Sequence, residues 1–124
     1  MKTIARLGSI VLIFALLVTA CAAAETYGKK INNRKSLTTI GDILADPSVY
    51  GGKEVTIEGK ISRECPAGCF FSLTQAGKEA SIIVDLNPAG FSIPQRGGRT
   101  ALVQGTVSIR DDSPVILGSG VEIK

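Results

Sequence analysis

Alternation of apolar and polar residues is the feature that most constrains this chain. Between Thr100 and Arg110, every second residue is apolar or glycine: Ala101, Val103, Gly105, Val107 and Ile109. A repeat of two places alternate side chains on opposite faces of a β-strand, whereas a helix would need a repeat near 3.6. The segment is therefore predicted to be a long strand with one face towards a core.

Four further segments have the same character, and turn residues separate them. The predicted strands are Glu54–Ile61, Phe70–Thr74, Ala80–Leu86 and Val115–Ile123, the last with a bulge at Gly118-Ser119-Gly120. In the first of them Val55, Ile57 and Ile61 face inward, and Thr56, Glu58 and Lys60 face outward. Asn87–Gly98 is predicted to be a long connection with at most one helical turn, and Asp111–Pro114 a hairpin turn. Thr38–Leu44 is predicted to be a short helix, capped by Thr38 or Thr39 and ended by Pro47.

Five strands of this kind predict an all-β domain. Glycines lie midway along the first and fourth strands, Gly59 and Gly105, where the strands of a small barrel must bend. With the long link between the third and fourth strands, the order is that of a closed Greek-key barrel, the OB-fold, preceded by a short helix. A five-stranded sandwich is the alternative, and barrel closure explains the two glycines better.

The stretch Ile40–Lys60, together with Val103–Val107, resembles small exported bacterial OB-fold domain proteins. The resemblance extends over nearly all of residues 37–124. It rests on turn and core residues, so it implies the fold. It implies no activity, because a fold alone does not determine a function.

The first 21 residues have the pattern of an export signal. Lys2 and Arg6 precede the apolar run Ile10–Val18, which is too short for a comfortable membrane span of about 20 residues. Val18-Thr19-Ala20-Cys21 resembles the bacterial lipobox, which implies that Cys21 is lipidated and becomes the mature N-terminus. Ordinary signal-peptidase cleavage near Ala22–Ala24 is the alternative. We therefore expect a membrane-anchored lipoprotein of the bacterial cell envelope, facing the periplasm or the exterior.

Residues 22–36 show no hydrophobic period and are predicted to form a flexible tether. The excess of basic residues lies here, in Lys29, Lys30, Arg34 and Lys35. The predicted OB-fold domain, residues 37–124, holds eight Lys and Arg against ten Asp and Glu, a net charge of −2. Because cations dominate affinity for nucleic acid, this charge argues against a nucleic-acid partner.

The composition excludes several kinds of site. The chain has no His and no Trp, and its one Met is Met1. Catalysis through an imidazole, zinc bound by His and haem ligated by His or Met are therefore excluded. The sequence shows neither a nucleophile paired with a base nor a phosphate-binding glycine loop, so we expect a non-enzymatic protein without a cofactor.

Cys65-Pro66-Ala67-Gly68-Cys69, in the loop between the first two predicted strands, is the most distinctive chemical feature. The favoured interpretation is a structural disulfide, since paired cysteines outside the cytoplasm usually bond. A redox dithiol is the second interpretation, although the spacing is one residue longer than Cys-x-x-Cys. Two thiolates holding a soft metal such as Cu(I) or Zn(II) are the third, with Cys65 and Cys69 as half of a ligand set.

A binding face is predicted beside this loop. Its candidate residues are Lys60, Arg63, Phe70 and Phe91, and alternation allows only one of Phe70 and Phe71 to point outward. The function predicted is a lipid-anchored binding or scaffold module with an envelope protein as partner. A thiol-based redox or metal-handling protein is the alternative, and OB-fold binding of nucleic acid is a third possibility.

Overall fold

Six β-strands and two short α-helices form the fold in a computed structural model, which describes residues 24–124. The elements are β1 Glu25–Gly28, α1 Ile40–Ala45, α2 Pro47–Tyr50, β2 Glu54–Glu64, β3 Phe70–Thr74, β4 Ser81–Asp85, β5 Thr100–Arg110 and β6 Ser113–Ile123. A single 3₁₀ turn, Asn87–Ala89, lies in the link between β4 and β5. The predicted signal peptide and lipidated Cys21 lie outside the described residues. None of the helices in residues 24–124 is both long and apolar enough to cross a membrane.

Strands β2 to β6 close into a barrel. Antiparallel pairs join β2 to β3, β3 to β4, β2 to β5 and β5 to β6, and a parallel pair joins β4 to β6. Following these pairs around returns to the starting strand, so the five strands are closed in the order β2-β3-β4-β6-β5. This is the predicted Greek-key barrel of the OB-fold. The sandwich alternative is wrong, because β5 pairs with β2 from Thr100 to Thr106 and with β6 from Ala101 to Arg110.

The barrel interior is filled by aliphatic side chains and one phenylalanine. Its fully buried members include Ile57, Phe71, Leu73, Val84, Val103, Ile116 and Ile123. Ile40 and Ile43, one turn apart on α1, pack against the same core. Thr39 caps this helix by accepting a hydrogen bond from the Asp42 N–H, as predicted. Ile109, expected inside, is exposed because β5 extends past the core towards its hairpin turn.

The predicted flexible tether is in part wrong. Glu25–Gly28 forms β1, which pairs antiparallel with the C-terminal half of β6 from Glu25–Ile123 to Gly28–Gly120. The side chain of Ile31 is buried. The Arg34 guanidinium pairs with the carboxylate of Glu122, itself almost buried. The segment is ordered by contacts with β6, which a local hydrophobic pattern cannot reveal.

Several side chains on outward strand positions, Thr56 and Gln104 among them, are buried beneath neighbouring chain. Thr56 is only 1% exposed, because Leu37 bridges to it and the Thr38 N–H donates to its carbonyl. Gln104 is covered by the segment after β1, where its Oε1 accepts from the Asn32 N–H at 2.9 Å. The N-terminal segments therefore thicken one side of the barrel and leave the opposite side open.

The last hairpin follows the prediction closely. Asp111 and Asp112 connect β5 to β6 and both have positive φ, as a two-residue type I′ turn requires. Further along, Gln104 pairs with Gly120 while Gly105 pairs with Gly118, so Ser119 is the extra residue of a bulge.

Candidate binding groove

The open side of the barrel carries a groove across the outward faces of β2, β3 and β4. It consists of two adjoining clefts of about 440 Å³ and 360 Å³, and Ser62 lines both. We call it the β2–β4 groove and define it by the residues that line the two clefts and are used below: Glu58, Lys60, Ser62, Arg63, Ser72, Thr74, Lys78, Ser81 and Ile83. Volumes of this size are typical of sites for small molecules or short chain segments.

A row of hydroxyl groups crosses the groove floor from strand to strand. Thr74 Oγ1 lies 3.2 Å from Ser62 Oγ on β2 and 3.2 Å from Ser81 Oγ on β4. Ser62 Oγ donates in turn to the backbone carbonyl of Ser72 at 3.3 Å. A hydroxyl has one proton to give, so Thr74 donates to Ser62 and accepts from Ser81. All three protons are thus used within the row, which presents acceptor lone pairs to the outside.

Unpaired cations surround this row. Lys60 and Lys78 line the first cleft and Arg63 the second. Among residues 24–124, none of the three forms an ion pair, whereas Arg34, Arg96, Arg110 and Lys124 all do. Among the described residues that line the groove, Glu58 is the one carboxylate, and Lys124 Nζ donates to it at 3.1 Å. The groove is therefore locally positive on a domain whose net charge is slightly negative.

Two apolar side chains stand on the same outward face. Phe70, Ser72 and Thr74 alternate outward along β3, and Phe70 remains 42% exposed. Ile83, opposite Ser72 on β4, is 46% exposed. Phe71 is fully buried, which confirms that only one of the adjacent phenylalanines points outward.

Of the predicted face residues, Lys60, Arg63 and Phe70 lie together on this side. Phe91 does not. It is partly buried against the core and against Gly28, beside β1. It belongs to the covered side of the barrel, because the long link between β4 and β5 carries it towards the N-terminal segment.

The Cys65–Cys69 loop lies at one end of the groove, between the Arg63 end of β2 and Phe70 on β3. Its backbone is fixed at both ends: the Cys65 N–H donates to Phe70 O at 3.0 Å, and the Gly68 N–H to Cys65 O at 2.8 Å. The link between β4 and β5 secures it from outside, since the Ile93 N–H donates to Gly68 O at 3.0 Å and Gln95 Nε2 to Cys65 O at 2.8 Å.

Both thiols of this loop are free and half-buried. Cys69 Sγ donates a hydrogen bond to Cys65 Sγ at 3.0 Å, so the structural disulfide that we expected is not formed here. This hydrogen bond, with backbone N–H groups of the turn, holds the pKa of Cys65 below its ordinary value. The same hydrogen bond, with partial burial, raises the pKa of Cys69. Within residues 24–124, no third Cys, His, Asp or Glu joins the pair to form a metal-ligand cluster.

The carboxylate of Asp85, at the end of β4, takes part in structural contacts with Asn87 and Arg110. Asp85 is almost buried; burial acts to raise its pKa, but hydrogen bonds from the Asn87 N–H and from Arg110 outweigh burial and leave the pKa lowered. Arg110 contacts Asp85 at 2.9 Å, and Arg96 contacts Glu25 at 2.9 Å. These two arginines are therefore not available to extend the positive groove.

Sequence reasoning found the cations at Lys60 and Arg63 and the exposed Phe70, but it missed the hydroxyl row and Lys78. The usable signal was weak: Ser62, Thr74 and Ser81 occupy outward positions on three successive strands. Only the register between the strands shows that the three hydroxyls meet.

Comparisons with known proteins concern the fold. No family model matches the sequence, and no curated protein matches it. Among solved structures, the hypothetical protein YgiW of Escherichia coli is 19% identical with a TM-score of 0.57, over 79% of this chain and all of that one. A Leishmania major protein described as an aspartyl-tRNA synthetase is 13% identical with a TM-score of 0.56, over 88% of this chain and 25% of that one. The likeness shows a small OB-fold barrel.

Proposed function

We infer that this protein is a non-enzymatic binding module of the bacterial cell envelope, anchored by lipid on Cys21, and that the β2–β4 groove binds an extended acidic segment of a partner protein. One observation carries the proposal. A row of hydroxyl acceptors lies between unpaired cations on the open side of the barrel, with two exposed apolar side chains beside it.

The chemistry of the groove favours a peptide. Because the hydroxyl protons of Ser62, Thr74 and Ser81 are used internally, the row is suited to accept hydrogen bonds from backbone N–H groups. Lys60, Arg63 and Lys78 would attract carboxylates, and Phe70 and Ile83 would contact apolar side chains. A phosphodiester backbone supplies the negative charge but no N–H donors, so it would leave the acceptor row unmatched.

The same geometry supports binding over catalysis. A serine nucleophile needs a base to take its proton, but Ser62 donates to a backbone carbonyl and Thr74 to another hydroxyl. Glu58, the carboxylate lining the groove, is occupied by Lys124. An affinity set by charge and by a few apolar contacts is moderate and sensitive to salt, as expected of a reversible binding module.

The envelope location rests on the sequence: a positive start, a short apolar run and a cysteine placed directly after it. Intact-mass measurement of the protein purified from membranes tests it. We expect a chain that starts at Cys21 and carries acyl groups, and loss of both the acyl mass and membrane retention in Cys21→Ser. A chain starting after Ala24 without added mass would overturn the lipid anchor.

Binding is tested with two probes of equal charge, a fluorescein-labelled Glu-Ala repeat peptide and an oligo-dT strand. We expect the peptide to bind the protein with moderate affinity and Lys60→Glu/Lys78→Glu to weaken it at least about tenfold, since two attractive contacts become repulsive. Lys35→Glu/Lys53→Glu is the matched control, with the same charge change at two exposed lysines outside both clefts. If oligo-dT binds more tightly than the peptide, the nucleic-acid function replaces this proposal; if the control weakens the peptide equally, the groove is not the site.

A site-specific photo-crosslinker identifies the partner in cells. At Ile83 it is expected to capture a defined envelope protein, and the adduct should disappear when Lys60→Glu/Lys78→Glu is introduced. The same crosslinker at Ile109, an equally exposed apolar position outside both clefts, is the control. Equal capture at both positions would show that the adduct reflects general exposure and not the groove.

A further inference from the structure

The turn between β2 and β3 brings two thiols together that the proposed binding function does not use. Cys65 and Cys69 are four residues apart, and the hydrogen bond from Gly68 N–H to Cys65 O folds the chain back between them. Their Sγ atoms are 3.0 Å apart. A disulfide needs about 2.05 Å between the sulfurs, so bond formation requires a movement of only about 1 Å.

Hydrogen bonds fix the backbone of the turn around the two thiols, and its tip is exposed to solvent, where a second molecule can approach. Four backbone carbonyls, those of Cys65, Gly68, Cys69 and Phe70, accept hydrogen bonds that fix the turn to its surroundings. Pro66 and Ala67, at its tip, are exposed. An incoming disulfide can therefore reach the thiols over the tip without any rearrangement of the barrel.

The two thiols are not equivalent. Cys65 accepts the hydrogen bond from Cys69, and backbone N–H groups of the turn point towards it, so its pKa is lowered while that of Cys69 is raised. The thiolate is the form that attacks disulfides, which makes Cys65 the more reactive of the pair at neutral pH.

We propose that Cys65 and Cys69 form a reversible disulfide by exchange with a disulfide-bearing partner, with Cys65 as the attacking sulfur and Cys69 as the resolving one. The proposal goes beyond the binding function and does not depend on it. It differs from a permanent structural disulfide, because the turn is already held by hydrogen bonds in the reduced form.

The exchange proceeds in two balanced steps. The Cys65 thiolate attacks one sulfur of the oxidant R–S–S–R; a mixed disulfide forms and one RS⁻ leaves and takes up a proton. Cys69 then loses its proton and attacks Cys65 Sγ, which releases the second RS⁻. The protein loses two electrons and two protons, and the oxidant becomes two RSH. The chemical class of oxidant is a disulfide, either a small molecule or a thiol–disulfide exchange protein.

The thiol loop lies directly beside the groove. The loop joins the Arg63 end of β2 to Phe70, and a disulfide closes a covalent ring of five residues between these two groove elements. Phe70 O accepts from the Cys65 N–H, so a change at Cys65 reaches the backbone of Phe70 directly.

The test uses the full chain with Cys21→Ser, fully reduced and then exposed to oxidised glutathione. Mass spectrometry is expected to show loss of two hydrogens and no retained glutathione. With Cys69→Ser added, glutathione should remain attached at Cys65, because the resolving thiol is absent. With Cys65→Ser instead, attachment at Cys69 should be at least about tenfold slower at neutral pH, since less of that thiol is ionised.

Several results would overturn the proposal. Equal rates for the two single variants would remove the assigned roles of Cys65 and Cys69. Absence of the intramolecular disulfide at any glutathione ratio would remove the redox pair, and tight stoichiometric binding of Zn²⁺ or Cu⁺ alone that blocks oxidation would show a metal site instead. Circular dichroism of each variant confirms folding. No groove ligand is used, so a failure here is distinct from a failure of the proposed binding function.

Discussion

Gly68 is the position at which the packing of the thiol loop can be measured most directly. It has φ +72°, and a Cβ placed there would lie 2.0 Å from the Ile93 carbonyl oxygen. Gly77, in the turn between β3 and β4, has φ +75° and open space around the same position. Replacing each by Ala therefore imposes the same backbone conformation, and only Gly68→Ala adds a steric clash.

The expected magnitudes follow from these contacts. Gly77→Ala should lower the free energy of unfolding by about 1–2 kcal/mol, the cost of a left-handed conformation for an L-residue. Gly68→Ala must also displace Ile93. This breaks the hydrogen bond from Ile93 N–H to Gly68 O, worth about 1 kcal/mol. It also partly uncovers the buried Ile93 side chain, worth about 1–2 kcal/mol. The difference between the two variants should therefore be about 2–3 kcal/mol.

Urea unfolding followed by circular dichroism measures both values, and the slope of each transition shows whether the unfolded states are comparable. Thermal melting should agree, with Gly68→Ala about 10–20 °C below Gly77→Ala for a domain of this size. A difference of less than about 1 kcal/mol would refute the reasoning. It would mean that the link between β4 and β5 does not hold the thiol loop.

Four single substitutions test other features of the fold. Ile31→Ala should lower the free energy of unfolding by about 2–4 kcal/mol in urea titration, since its side chain is buried. An effect below about 0.5 kcal/mol would instead support the predicted flexible tether. Thr56→Val should raise stability by about 0.5–1.5 kcal/mol, because the buried Oγ1 finds no partner in the described part of the chain; a loss would indicate a hydrogen bond. Asp112→Gly should stabilise the hairpin by about 0.5–1 kcal/mol, because φ is +63° there; a lower melting temperature would argue against the type I′ turn. The lowered pKa of Asp85 stabilises the fold above its ordinary value of 3.8, and this contribution is lost as the pH falls through the folded pKa. In Asp85→Asn, the free energy of unfolding should therefore fall less steeply below pH 4, and its pH dependence above pH 5 should be unchanged. If the loss of stability below pH 4 is as steep as in the original protein, Asp85 does not make this contribution.

The barrel itself could be predicted because its strands expose one face and bury the other. Phe70–Thr74 and Thr100–Arg110 have the predicted bounds, and in both every inward position holds an apolar residue or glycine. The first barrel strand was predicted to end at Ile61 but continues to Glu64. Beyond Ile61 its residues are all polar and the register shifts, so no alternation remains to show the pairing.

The two helices that precede the barrel, α1 and α2, were only partly predictable from the sequence. The cap at Thr39 followed from residue type, and α1 lies within two residues of the predicted helix. α2 was not predicted, because we expected Pro47 to end a helix. Pro47 instead begins one, since proline is accepted at the first helical position, where no N–H donor is needed.

Its own residues could not predict that the N-terminal segment is ordered. Four residues of β1 are too few to establish a period, and Ile31 is a single apolar residue among polar ones. The informative residue lies far away in sequence. A Cβ at Gly120 would lie 2.2 Å from Lys29 O, so this glycine lets the segment approach β6 closely. Sequence reasoning had assigned Gly120 to the bulge alone.

The early start of β1 bears on how an acylated Cys21 would hold the protein. Only four steps along the chain separate Cys21 from Glu25, and even fully extended they reach about 14 Å. A lipid at that cysteine would therefore hold the domain close to the bilayer surface. The pairing of β1 with β6 would restrict rotation of the domain about its anchor.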